Sequence, residues 1–169
     1  MPLDTISEKR LSEVYPGLAD KVRTMASQLE TEGIDIRVTQ SLRPMAEQEA
    51  LYAQGRTAPG DVVTNARAGY SWHNFGLAVD VAPLTPQGPD WNVAHPVWGR
   101  IVAIGTSLGL MAGSEWRTFP DWPHFQLTGR FPVTPSNEAR GLLLSGGTQS
   151  VWRSAFGPDQ APGLETDIS

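Results

Sequence analysis

Two of the three histidines in this 169-residue chain stand among residues that suit metal chemistry. One lies in Ser71-Trp72-His73-Asn74-Phe75-Gly76-Leu77-Ala78-Val79-Asp80, the other in Asp121-Trp122-Pro123-His124-Phe125-Gln126. On a helix, the spacing of His73 and Asp80 would separate them by roughly 10 Å along the axis. That is awkward for zinc ligands, which sit about 2.0–2.2 Å from the ion. On one straight strand, the odd spacing would send them to opposite faces. A turn between them resolves the geometry, and Asn74-Phe75-Gly76 supplies residues suited to one. Asp80 then points from a strand to a cleft face with Ala78 and Ala82, while Val79 and Val81 face the core. The same alternation puts His124 and Gln126 on one face and Phe125 and Leu127 on the other. Two histidines and one carboxylate form a common catalytic zinc set, with a fourth position left for water. Asp121, three residues before His124, suits the base that takes a proton from that water. Pro123 stiffens the link between them.

Each signal has a plainer reading by itself. A lone His in a half-buried loop is often only hydrogen-bonded, and Asp80 or Asp121 could serve a turn or a salt bridge. Their combination, each element leading into an apolar alternation, favours the metal reading. His95, in Val93-Ala94-His95-Pro96, has no carboxylate companion at a telling spacing and reads as a loop residue. Most tryptophans suit core or rim positions. Trp72 and Trp122, beside the candidate ligands, are the ones that could contact a substrate. Arg43 follows a strand and precedes Pro44, a place where cleft residues often sit. Its plain alternative is a surface arginine paired with Glu47.

The elements that must position these groups follow from periodicity. Leu18, Val22, Met25, Ala26 and Leu29 predict a helix from Leu18 to Glu32, ended by Gly33. Ile34 to Gln40 alternates as a strand with Ile34, Ile36 and Val38 inward. Pro44 opens a helix to Gln54, stopped by Gly55. Thr57 to Tyr70 reads as loop, Leu77 to Ala82 as strand and Pro83 to Pro96 as irregular. Val97 to Leu108 reads as helix and His124 to Leu127 as a short closing strand. After Pro132 the Ser/Gly/Pro-rich remainder has an apolar patch at Leu142–Leu144 and an aromatic patch at Val151, Trp152 and Phe156. The expected organisation is one domain over residues 1–131 and an extension over 132–169, packed on it and frayed after Gly157. Helices and strands mix without regular βαβ alternation, which predicts an α+β fold with a small antiparallel sheet flanked by helices.

Composition narrows the chemistry. The formal net charge of −5 argues against a nucleic-acid binder, which needs a basic face. With no cysteine, disulfides, thiolate metal sites and a thiol nucleophile are excluded. No stretch is apolar for the roughly 18 residues an integral membrane segment needs. The start lacks a basic region followed by an apolar one, so no signal peptide is expected. A monomer is expected.

These segments resemble the signatures of the D-alanyl-D-alanine carboxypeptidase and L-alanyl-D-glutamate endopeptidase family of zinc peptidases, which share the hedgehog/DD-peptidase fold. Ser71 to Asp80 is similar to the family's S-x-H-x-x-G-x-A-x-D element. Asp121 to Phe125 is similar to its acidic residue three before the final histidine. Ser41-Leu42-Arg43, Gln48, Leu51-Tyr52 and Gly55-Arg56 look like the upstream element carrying a substrate-facing arginine. The resemblance runs from Leu18 to Leu127 in the family's order. It implies one zinc ion held by His73, Asp80 and His124, with Asp121 as general base. Arg43 would steady an oxyanion or a substrate carboxylate, with Ser71 and Gln48 nearby. The implied partner is the peptidoglycan stem peptide. Many carboxypeptidase members carry Glu at the base position, so Asp121 fits the endopeptidase branch, phage endolysins included, and the bond between L-Ala and D-Glu. An endolysin would stay cytoplasmic until released to the wall, and a bacterial wall-remodelling enzyme would look the same. Two alternatives stay open: a D-alanyl-D-alanine carboxypeptidase, and a zinc-containing wall-binding module without turnover. The presence of both Asp121 and Arg43 speaks against the last.

Overall fold

The computed structural model describes residues 3–158. Asp4 caps a short first helix, α1 (Thr5–Leu11), by accepting the Ser7 N–H at 2.9 Å. Pro16 sits in the first turn of α2 (Pro16–Thr31), which buries Leu18, Ala19, Val22, Met25, Ala26 and Leu29 on one face. Gly33, at φ 75°, lets the chain turn out of that helix, and the Ile34 N–H closes onto the Leu29 carbonyl. Strand β1 (Ile36–Gln40) follows, then α3 (Met45–Ala53) after Pro44. A 3-10 turn at Trp72–Phe75 leads into β2 (Ala78–Thr85). The remaining elements are β3 (Gly88–Pro89), α4 (Val97–Ser107), β4 (Met111–Ala112), a second 3-10 turn (Gly113–Glu115), β5 (His124–Gln126) and α5 (Asn137–Phe156).

The sheet is antiparallel in the order β1-β2-β5-β4, with β3 folded back on the end of β2. This is the α+β arrangement the periodicity predicts. β2 is its centre, and Ala78, Val79, Val81 and Ala82 are all fully buried. Sequence alternation placed Ala78 and Ala82 on an open cleft face, but Gln126 stands directly opposite Ala78 and closes that side. Strand β2 also runs past Ala82 to Thr85, with Pro83 inside it. Pro83 pairs with Ile36, and its carbonyl accepts the Asp90 N–H. Ile34 lies before β1 and is only half-buried.

Two helices escaped periodicity. α1 spans only seven residues. α5 is twenty residues long, yet Gly147 (φ 69°, ψ −170°) kinks it and breaks the pattern midway. Ser136 caps it by accepting the Ala139 N–H. Ala139, Val151 and Ala155 enter the same buried cluster as Leu18, Met25 and Trp72. The Trp152 indole donates to the Phe75 carbonyl at 2.8 Å, and the Phe156 ring stacks on Tyr15 at 4.1 Å. The end expected to fray after Gly157 lies beyond Pro158, outside the described residues.

α4 crosses β5 closely because Gly105 has no side chain. A Cβ there would stand 2.5 Å from Cε1 of the fully buried Phe125 ring. Gly99, on the same helix, has no atom within 4 Å of its would-be Cβ. Gly105→Ala is expected to cost about 1–3 kcal/mol through overpacking. Gly99→Ala should leave stability equal or raise it by up to about 1 kcal/mol, because alanine is the better helix former. Urea denaturation midpoints of the two variants check this. Equal midpoints would show that α4 can shift away from Phe125 freely.

Candidate metal centre and catalytic site

Antiparallel pairing of β2 with β5 sets Asp80 opposite His124 and Val79 opposite Phe125. His73 arrives from the 3-10 turn. There Ser71 Oγ accepts the His73 N–H at 3.3 Å, and Gly76 (φ 68°) reverses the chain into β2. A Cβ at Gly76 would lie 2.9 Å from the Trp152 ring, so a larger residue is excluded there by packing as well as by conformation. The turn foreseen between His73 and Asp80 is therefore a capped 3-10 turn.

His73 Nε2 lies 3.0 Å from Asp80 Oδ1, and His124 Nδ1 lies 3.6 Å from the same oxygen. The three donor atoms all fall within 4.8 Å of one another, and the two imidazole rings stand edge to face at 5.0 Å. The far side of each ring is engaged elsewhere. His73 Nδ1 donates to the Ser41 carbonyl at 2.9 Å, and His124 Nε2 donates to Gln126 Oε1 at 2.7 Å. Each ring thus keeps its lone pair for the common point, as outer partners do for metal-bound histidines. The chemistry and convergence of this donor set fit a divalent metal ion.

Electrostatics agree. Burial alone would raise the Asp80 pKa, but the neighbouring imidazoles of His73 and His124 bring it well below the usual carboxylate range. Burial would lower the His124 pKa, and Asp80 with Gln126 outweighs it and raises it. A proton and a metal ion therefore compete for the same place. Asp121 behaves oppositely. Burial raises its pKa first and the Asp80 carboxylate next, while His124, His73 and Arg43 pull it back only in part. A carboxyl moved toward neutral pH is suited to exchange protons. Its backbone is held where β4 ends. The Asp121 N–H donates to the Gly113 carbonyl at 2.9 Å, and a Cβ on Gly113 would come within 2.5 Å of the Asp121 carbonyl and 2.9 Å of His124 Cβ.

Arg43 is buried rather than at the surface, and it faces the site instead of the exposed Glu47. Its N–H donates to the His73 carbonyl, and its own carbonyl accepts from Asn74 Nδ2 at 3.0 Å. Nη1 donates to Gln48 Oε1 at 2.9 Å, Nη2 lies 4.0 Å from Asp80 Oδ2, and Nε has no partner. Gln48, expected near the substrate, is fully buried and spends its amide on the Ala66 carbonyl, so it holds Arg43 from behind. Trp72 also supports from beneath. It is 1 % exposed and donates to the Val133 carbonyl at 3.0 Å, which leaves its ring no face for a substrate. Ser71 and Trp122 are half-buried. His95 is an exposed residue whose Nδ1 accepts the Val97 N–H at the start of α4.

Three contributors escaped the sequence reading. Trp116 lies 4.8 Å, ring to ring, from His124, and nothing in its irregular surroundings signals this. Asn74 joins Gly69 to Arg43 through both ends of its amide. Gln126 grips His124, and its place on the same strand face was a readable signal.

Comparisons with known proteins agree with this geometry. Two family models described as D-alanyl-D-alanine carboxypeptidase match residues 64–127 and residues 12–94. The chain is 34% identical over 124 residues to the peptidoglycan L-alanyl-D-glutamate endopeptidase CwlK of Bacillus subtilis (strain 168), covering 69% of this chain and 74% of that protein. The crystal structure of the L-Ala D-Glu endopeptidase ChiX of Serratia marcescens matches with a TM-score of 0.55 and 26% sequence identity, over 73% of this chain and 87% of that one. By its ligand cluster, its sheet and these relatives, the chain belongs to the D-alanyl-D-alanine carboxypeptidase and L-alanyl-D-glutamate endopeptidase family of peptidoglycan peptidases.

Proposed function

We propose that this chain is a zinc-dependent endopeptidase that cuts the bond between L-Ala and D-Glu in peptidoglycan stem peptides. The observation that carries the metal half is the convergence of His73, Asp80 and His124 donor atoms within 4.8 Å. The choice of bond is supported by the two relatives, both L-alanyl-D-glutamate endopeptidases, and by Asp at position 121. On this reading the enzyme is a monomer that meets its substrate after release to the wall. Among the described residues, no helix is long and apolar enough to cross a membrane. Residues 1–131 carry the chemistry, and 132–169 are an extension of that domain.

His73 through Nε2, Asp80 through Oδ1 and His124 through Nδ1 would hold the ion. When bound, zinc supplies Lewis acidity toward a carbonyl oxygen and makes water more acidic. Asp121 takes the proton of the attacking water and passes it to the leaving amine, the exchange its raised pKa suits. Arg43, held by Gln48 and by the His73 carbonyl, keeps a fixed positive charge beside the cluster as negative charge develops on the scissile carbonyl. Its unpartnered Nε and its buried position support that role over a surface ion pair.

Digestion of purified peptidoglycan followed by mass spectrometry tests the reaction. The expected products are stem peptides beginning at D-Glu, lost on chelation and restored by added zinc. Release of free D-Ala instead would establish the carboxypeptidase reading, which the description of the family models favours.

Asp121→Asn should retain the metal and the fold while turnover falls by about 10²–10⁴-fold, the usual cost of losing a general base. Wall lysis near the wild-type rate would make Asp121 structural.

Arg43→Ala should hold zinc and lose catalytic efficiency by about 10²-fold or more, on the order of one lost oxyanion donor. Arg43→Lys should rescue poorly, since a point charge cannot reach both Gln48 and the site. Kinetics on a soluble stem peptide decide this, and an efficiency for Arg43→Ala within about threefold of wild type overturns the assignment.

A further inference from the structure

One backbone carbonyl, that of Val133, receives two side chains that each adjoin a metal ligand. The Trp72 indole N–H, from the residue before His73, donates to it at 3.0 Å. Gln126 Nε2, from the residue two beyond His124, donates at 2.8 Å. All of this is enclosed: Trp72 is 1 % exposed, Gln126 2 % and His124 4 %. Val133 itself points its side chain outward, 51% exposed, so its segment offers this node a carbonyl and no more. The segment is anchored on both sides. Phe131 is buried with its ring 5.7 Å from that of Trp72, and its carbonyl accepts from Thr128 Oγ1. Ala139 of α5 is fully buried.

We propose that Gln126 is a positioning residue for the ligand His124, and that the Val133 carbonyl sets its orientation. The inference rests on the metal reading above. A backbone carbonyl only accepts, so Gln126 must turn its NH₂ toward Val133. Its Oε1 then faces His124 and only accepts in turn. His124 must therefore carry its proton on Nε2, which leaves the Nδ1 lone pair on the side of Asp80 and His73. Reversing the amide would set two oxygens against each other at Val133 and present N–H groups to the imidazole. The segment beyond the sheet thus selects the tautomer of a ligand it does not touch. His73 is held in the opposite tautomer by the Ser41 carbonyl, so the two ligands depend on separate parts of the chain.

The test measures zinc affinity by competition with a chromophoric chelator, at a temperature where each variant is folded, beside the melting temperature of the metal-free protein. Gln126→Met removes both hydrogen bonds at similar volume and should weaken zinc binding by about 10–100-fold, the usual cost of losing an outer partner. Gln126→Glu keeps the acceptor for His124 but opposes an oxygen to Val133. It should lower the melting temperature while keeping zinc affinity within a few fold of wild type. Val133→Ala should leave affinity unchanged, because only the carbonyl serves. A merely structural Gln126 would lower the melting temperature in Gln126→Met and leave zinc affinity at the wild-type value, which overturns the inference. Long-range ¹H–¹⁵N spectra of the wild-type zinc-loaded protein give an arm that needs no variant. They should show His124 protonated at Nε2 and His73 at Nδ1, and protonation of His124 at Nδ1 overturns the inference as well. Wild-type protein that takes up no zinc overturns the metal assignment itself, a failure distinct from tight zinc binding by Gln126→Met.

Discussion

The pairing of Asp80 with His124 across the β2–β5 ladder is the constraint on which the rest of the site depends. Neighbouring strands lie about 4.7–4.9 Å apart, so residues directly opposite bring their side chains within reach of one ion. A slip of one residue would turn Asp80 into the core and a valine into the cleft. The register is secured from both sides. Val79 and Phe125 form the adjacent fully buried pair, and Gly105 lets α4 press onto the Phe125 ring. Hydrophobic packing on one face of the sheet therefore decides the distance between polar groups on the other.

That arrangement places two half-buried carboxylates, Asp80 and Asp121, in one cluster and gives them different characters. Asp80 is surrounded by His73, His124 and Arg43 and is held ionised, as binding a metal ion would require. Asp121 lies where burial and the Asp80 charge dominate, and its pKa is raised. Environments that drive two like groups apart are how a fold assigns acid, base and ligand roles among chemically similar residues. The polypeptide surrounding them is arranged in the same spirit. Ser41, Ala66 and Val133 contribute carbonyls, and Gln48, Asn74 and Gln126 contribute amides that aim the charged and aromatic groups.

Much of this is legible in the sequence. Leu18, Val22, Met25, Ala26 and Leu29 marked α2 because a helix with one buried face must repeat its apolar residues. The His73–Asp80 spacing demanded a turn, and Gly76 supplied it. Where periodicity failed, a physical reason is visible. Gly147 kinks α5 and resets its apolar phase, so the twenty residues read as two unrelated patches. For Arg43 a surface pair with Glu47 stayed open as the alternative to a cleft position, because sequence carries no record of which side of a strand-to-helix junction lies against the sheet. Gln48 and Trp72 have residue types common at substrate sites, and only burial shows that they are spent on the Ala66 and Val133 carbonyls.

By itself the sequence determined the α+β architecture and singled out the candidate ligands His73, Asp80 and His124 and the candidate base Asp121, because those follow from residue types and from local periods of turn, strand and helix. Tertiary structure alone decided how the ligands are aimed. The tautomer of His73 depends on one carbonyl, that of Ser41, 32 residues away, and that of His124 on an amide chain through Gln126 to Val133. Hydrogen bonds between groups distant along the chain leave no periodic trace, since any residue can offer a backbone carbonyl. Their partners exist only once packing has brought the segments together.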